Sequence, residues 1–155
     1  MEISAVGTNG VRIKTKNAVI NIENGVVTLG GDKPFKIDTP GEYEVGGVSV
    51  IGVNDAGGAK IYVVEVDGLR LAYMGKLAVK LTNIQIEDMG SIDILILPIH
   101  NSEIVSQIDP WVVLTENSQD GLASVPKYLI TADKLPTELA TIVLDLPAGR
   151  QEERK

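Results

Sequence analysis

The chain has one imidazole, His100, and no thiol, so nucleophilic cysteine chemistry and thiolate metal sites are excluded before any fold is considered. His100 follows the apolar run "IDILILP", a place where an α/β sheet can present a functional group. A lone histidine there is more often a hydrogen-bonded or exposed turn residue. Carboxylates crowd "FKIDTPGEYEV" at Asp38, Glu42 and Glu44. Acid–base catalysis by two carboxylates needs a defined separation about a substrate and a shifted pKa. Glu42 and Glu44 instead share one face of a strand by period-2 spacing, as a solvated edge does. The glycine-rich "LGGDK" and "GVNDAGG" lack the lysine and hydroxyl of a phosphate loop, and no Gly-x-Ser-x-Gly elbow supports a serine hydrolase.

Charge narrows the partners. The formal charge of −7, from 21 Asp and Glu against 14 Lys and Arg, repels phosphate backbones and acidic lipid. Aromatics are 4% of the chain, too few for base-stacking platforms. "RIKTK" at Arg12 to Lys16 alternates as a half-exposed strand would. We therefore expect no nucleic-acid and no membrane partner and no cofactor. The absence of cysteine, of a basic-then-apolar leader and of a membrane-length apolar run makes the cytoplasm the expected location.

The elements that would position these groups begin with hairpins. Asn9-Gly10, Asn24-Gly25 and Asp67-Gly68 supply the positive φ angles of two-residue turns between β-branched strands. Gly46-Gly47 turns a fourth, with Pro40-Gly41 as the corner that feeds its first strand. In "LTNIQIEDMG", Thr82 is an N-cap, Ile84, Ile86 and Met89 form a partial apolar stripe, and Gly90 is the stop. "IDILILP" reads as a strand buried on both faces, "NSEIVSQI" as a second short helix, and "WVVLT" from Trp111 as another buried strand. "KYLI" and "TIVLDL" add strands, the latter closing the fold. The expected fold class is β-rich α/β: an antiparallel front sheet joined to a small strand–helix–strand back half, the two sheets facing each other. We expect one domain over 1–146 and a mobile polar tail over 147–155, where "PAGRQEERK" lacks apolar periodicity.

These pieces, in this order, resemble the metallo-β-lactamase fold, in particular the small metal-dependent hydrolases related to ascorbate-phosphate lactonases. "PFKIDTPGEYEVGGVSVIGV" is similar to that branch's Gly-Pro-Gly-Glu-Tyr-Glu segment and hairpin. "KIYVVEVDGLRLAYMG" resembles its paired strands, and "LTNIQIEDMGSIDILILPI" its next helix and strand. With "ISAVGTNGVRIKTKNAVI", the similarity extends over residues 1 to about 115. It implies a two-sheet sandwich and, in the family, a hydrolytic centre. There an early Gly-His, a His-x-His-x-Asp-His loop, two later histidines and a bridging aspartate mark the site, whose ligands hold divalent ions that activate water.

This chain departs from that pattern at every ligand position. Only "ENGVVTLGGDK" lies between Ile22 and Pro34, so a hairpin replaces the histidine loop. The early Gly-His falls on Gly7-Thr8, and a later histidine falls near Val53 or Asn54. The bridging aspartate falls on Lys76, a cation that repels what the carboxylate attracts, and the last histidine falls near Asn117. The leading expectation is a shortened, metal-free, non-catalytic member acting through binding or homo-oligomeric assembly. Thr8, Asn54, Lys76, Glu116 and Asn117 would line its vestigial cleft, with Lys76 placed to bind an anion or pair with Glu116. Short helices would leave apolar sheet surface bare, to be buried in a symmetric dimer. Two alternatives stand beside it. One is a hydrolase with a hard-metal site rebuilt from Asp55, Glu116, Asn117 or Asp120, acting on phosphodiesters or lactones. The other is a small-molecule binding module using the cleft near Lys76 and Asn117.

Overall fold

The hairpin signals fold as read, but they distribute between two sheets. A computed structural model describes residues 1–7, 9–30, 33–56, 59–75 and 80–147, without the side chains of 54–56 and 59. The first sheet contains β1 (Glu2–Val6), β2 (Gly10–Lys14), β3 (Val19–Glu23), β4 (Val26–Leu29) and β5 (Phe35–Ile37). The chain then crosses at Asp38–Pro40 into β6 (Gly41–Val45), β7 (Val48–Ala56), β8 (Ala59–Val66) and β9 (Leu69–Tyr73). Next come α1 (Asn83–Met89), β10 (Ile94–Ile96), α2 (Ser102–Ile108) and β11 (Val112–Thr115). The short strands β12 (Ser124–Val125) and β13 (Tyr128–Leu129), a 3₁₀ turn (Ala132–Lys134) and β14 (Ala140–Leu144) complete the order.

The six-stranded sheet runs β13-β1-β2-β3-β4-β5, antiparallel throughout, and the eight-stranded sheet runs β12-β14-β11-β10-β9-β8-β7-β6. In the larger sheet β9, β10, β11, β14 and β12 are parallel, while β6 to β9 are antiparallel neighbours. The expected division into an antiparallel front sheet and a separate parallel back half is thus corrected. The β6–β7 and β8–β9 hairpins extend the same sheet as the strand–helix–strand half. "KYLI" leaves that half and closes the first sheet against β1.

Period-2 alternation builds two cores from one sheet. Val50, Tyr62, Val64, Leu71, Tyr73, Ile94 and Leu114 face the first sheet's Ile3, Ile13, Ile20, Ile22 and Val27. Their neighbours Val63, Ala72, Leu95, Leu97 and Val113 face the opposite way and pack under Met89, Ile104 and Val105 of the helices. The result is three layers, sheet on sheet on helix. The outer face of the first sheet carries no helix among the described residues, and its central row is polar, with exposed Leu129 and half-buried Val19 and Val26 on the flanking rows. Ser4, Arg12, Asn21, Thr28 and Lys36 stand side by side across five strands. Apolar surface on this face is confined to the rows beside that polar one, where Leu129 is the exposed large side chain. Alternation has already made the central row compatible with water.

Local chemistry explains the element ends. Asn24 (φ 51°) and Gly25 (φ 78°) form the β3–β4 turn, Asp67 (φ 53°) and Gly68 (φ 77°) the β8–β9 turn, and Gly46 and Gly47 the β6–β7 turn. At the first hairpin the strands pair as far as Val6 and Gly10. Gly10 is therefore a strand residue, and among the described residues the positive φ falls on Gly7 (58°), two residues before the expected Asn9-Gly10. Thr82 caps α1 through a capping box with Gln85, and Gly90 ends it. The expected stripe is corrected in one place: Gln85 and Met89 are buried, whereas Ile84 is 70% exposed. Trp111, expected in a buried strand, precedes β11 and is 46% exposed. No helix among the described residues is long and apolar enough to cross a membrane.

Candidate functional site

The parallel strands β9, β10 and β11 all end at one rim of the sandwich, where an α/β sheet ordinarily places its chemistry. Because strand direction alternates in the hairpins, the β1–β2 and β3–β4 turns of the first sheet reach the same rim. So do the chain crossing at Asp38–Pro40, the end of β7 and the start of β8. Of the residues expected to line a vestigial cleft, Glu116, Asn117 and the backbone of Asn54 lie at or near this rim.

Two tyrosines bridge the sheets there. Tyr62 and Tyr73 are cross-strand partners in β8 and β9, 2% and 3% exposed. The Tyr62 hydroxyl donates to the carbonyl of Gly25 in the β3–β4 turn at 2.6 Å and lies 3.4 Å from the Ile37 carbonyl. The Tyr73 hydroxyl lies 3.4 Å from Asn9 Oδ1 in the β1–β2 turn. Beside them, Lys60 Nζ donates to the Asp38 carbonyl at 2.8 Å, fastening the crossing segment to β8. These rings fill the space between the sheets at the rim, and their hydroxyls satisfy turn groups.

A second polar knot joins the ends of β10 and β11. Thr115, fully buried, places Oγ1 2.7 Å from Asn117 Oδ1 and 3.1 Å from the Pro98 carbonyl. Its single proton serves one acceptor at a time. Asn117 Oδ1 also accepts the backbone N–H of His100 at 3.0 Å, and the Glu116 N–H donates to the Pro98 carbonyl at 2.9 Å. Asn117 thus ties the segment after β11 to the segment after β10.

Of the candidate cleft residues, Glu116 and Asn117 are half-buried at this knot. Asn54 lies on β7, its backbone near the rim and its side chain outside the described residues. Thr8 and Lys76 lie outside the described residues, so the expected pairing of Lys76 with Glu116 does too. So do Asp55's side chain and the tail from residue 148. Asp120 is exposed in the turn beyond Asn117. Glu42 and Glu44 are exposed on the edge strand β6, as their spacing implied. Sequence reasoning missed Tyr62, Tyr73 and Thr115. The tyrosines left a signal: they stand equidistant from Asp67-Gly68, which makes them cross-strand partners in any two-residue hairpin.

The divalent centre of the fold family does not fit these residues. Activating water between two ions takes several imidazoles and a bridging carboxylate, and the whole chain offers one imidazole. Among the described residues no three of His, Cys, Asp and Glu gather closely enough to hold a metal ion. At the rim the carboxamide of Asn117, near which the last histidine was expected to fall, is already engaged by Thr115 and His100.

Comparison with known proteins agrees with the scaffold. The Beta-lactamase superfamily domain matches residues 13–116. A candidate Zn-dependent hydrolase of the metallo-β-lactamase superfamily from Thermotoga maritima superposes with a TM-score of 0.78. It is 18% identical, with 94% of this chain and 100% of that chain covered. No curated protein matches the chain. Neither match separates the ascorbate-phosphate lactonase branch from others. The family match spans β2 to β11 and the structural match nearly the whole sandwich, so the chain belongs to the metallo-β-lactamase superfamily.

Proposed function

We propose that this chain is a metal-free, non-catalytic member of its superfamily that acts in the cytoplasm through binding or self-assembly. The observation that supports the reading is the donor set. A fold whose hydrolytic relatives need an array of imidazoles at the sandwich rim here has a tight β3–β4 turn in place of the histidine loop. Tyrosine and carboxamide hydrogen bonds occupy the described part of that rim. A water molecule is not activated at neutral pH by such groups, since none lowers its pKa as a coordinated cation does.

The test is elemental analysis of the purified protein, before and after incubation with Zn²⁺ and Mn²⁺, alongside phosphodiesterase and lactonase assays. The expected result is far less than one bound ion per chain and no turnover that responds to chelation. A tightly held ion in stoichiometric amount, with hydrolysis abolished by a chelator, overturns the proposal.

A further inference from the structure

Charge in this molecule is segregated by layer. The outer face of the first sheet presents Arg12, Lys14 and Lys36, all exposed, with Lys16 and Lys33 in the adjoining turns. Its acids among the described residues are Glu23 and Glu2, with exposed Asp38 in the crossing that follows β5. Glu2 stands opposite Lys14 and lies 3.6 Å from Lys127. The opposite side of the molecule is the helix side. There α1 exposes Glu87 and Asp88, α2 exposes Glu103, and Asp109 follows it. Tyr43 and Val45 pack into the core between the sheets, so Glu42 and Glu44 point to the helix side as well, and so does exposed Glu65. The described cations on this side are two. Lys80 lies 3.8 Å from Glu103. Arg70 is engaged by Glu65, by the Met89 and Ser91 carbonyls and, through its backbone N–H, by Asp93. An acidic protein of net charge −7 thus carries a basic face and an acidic face on opposite sides of a three-layer stack.

We infer that the basic outer sheet face docks the acidic helix face of a second copy of this chain, giving head-to-tail association. The inference rests on the assembly reading above and names its surface. Charge complementarity selects the occupant, because the acidic counterpart of the basic face is present on the same molecule in equal concentration. The geometry also sets the symmetry. A two-fold axis would bring each face against its own like charge, whereas a heterologous contact pairs unlike faces and leaves one of each free at the ends. The symmetric dimer expected from a bare apolar surface is thereby replaced. Exposed Ile84 on α1 supplies an apolar contact within the acidic face.

Sedimentation across a range of protein and salt concentrations tests this. Association should grow with concentration and weaken roughly tenfold or more as the Debye length falls from about 30 Å at about 0.01 M salt to about 3 Å at about 1 M. Reversing the basic face (Arg12→Glu, Lys14→Glu, Lys36→Glu) or the acidic face (Glu87→Lys, Asp88→Lys, Glu103→Lys) should abolish it. Mixing the two reversed proteins should restore it, which also shows that both are folded. A monomer at all concentrations and low salt overturns the inference. So does association that neither reversal changes, although self-assembly by another surface then survives. Low-salt binding of the basic face to polyuridylate without self-association overturns it in favour of a nucleic-acid partner. Chelation-sensitive hydrolysis would end the non-catalytic reading while leaving these sedimentation results standing.

Discussion

At the residue scale, the rim turns on groups whose hydroxyls and carboxamides are used inward. Tyr62 donates at 2.6 Å to a turn carbonyl from a side chain 2% exposed, so Tyr62→Phe leaves that acceptor short of its partner with little change of volume. The expected loss is about 1–2 kcal/mol of unfolding free energy, read from the shift of a urea midpoint at unchanged slope. Asn117→Ala removes the acceptor of both Thr115 Oγ1 and the His100 N–H and should cost about 1–3 kcal/mol by the same measurement. Tyr128 offers a pH test. Burial of its ring against β1 raises the pKa of its phenol above the ordinary value near 10. The unfolded chain then loses that proton first as pH rises. The stability Tyr128 contributes is complete below about pH 10 and is lost as pH climbs through its folded pKa. Tyr128→Phe should unfold less steeply between neutral and strongly alkaline pH than the parent; equal slopes would remove burial as the cause.

Elements were legible in proportion to how local their determinants are. Thr82, Gln85 and Gly90 specify both ends of α1 within the helix itself, so the sequence reveals it. Thr82→Ala should lower stability by about 1 kcal/mol through loss of the Gln85 N–H acceptor at 3.2 Å. The register of α1 on the sheet is not local. Its seven residues make two turns, and the buried pair Gln85 and Met89 follows i, i+4 spacing, leaving Ile84 outside the stripe that composition alone suggested. Ile84→Lys should accordingly change the unfolding free energy by no more than about 0.5 kcal/mol, read from the urea midpoint at unchanged slope. Likewise Asn24-Gly25 and Asp67-Gly68 were readable as turns because each pair supplies the angles its hairpin needs. The first hairpin's turn moved to Gly7 because strand pairing continues through Gly10. The tyrosine bridge at the rim was hidden for a further reason: hairpin symmetry pairs Tyr62 with Tyr73, but which turns their hydroxyls meet depends on how the second sheet lies over the first.

For the whole molecule, alternation of apolar residues announced two sheets but could not say which hairpin joined which, since a hairpin reads alike in either. The deciding feature is the corner at Asp38–Pro40, where the chain leaves β5 and enters β6. Gly52 of β7 lies directly beneath it. A Cβ there would stand 2.7 Å from the Thr39 carbonyl oxygen and 3.1 Å from Pro40 Cα, both backbone atoms that cannot swing aside as a side-chain tip would. Gly52 pairs with Gly41, which enters β6 at φ 140°, so the close approach fixes the crossing to the edge of the larger sheet. Gly52→Ala must push the corner outward and strain the β6–β7 pairing. We expect a loss of about 1–3 kcal/mol with faster amide exchange at Glu42 to Val45 and undisturbed exchange in β2 and β3. If the exchange change spreads evenly over both sheets, the corner is not what holds them in their places. If stability is unaltered, β6 can find its edge without the contact.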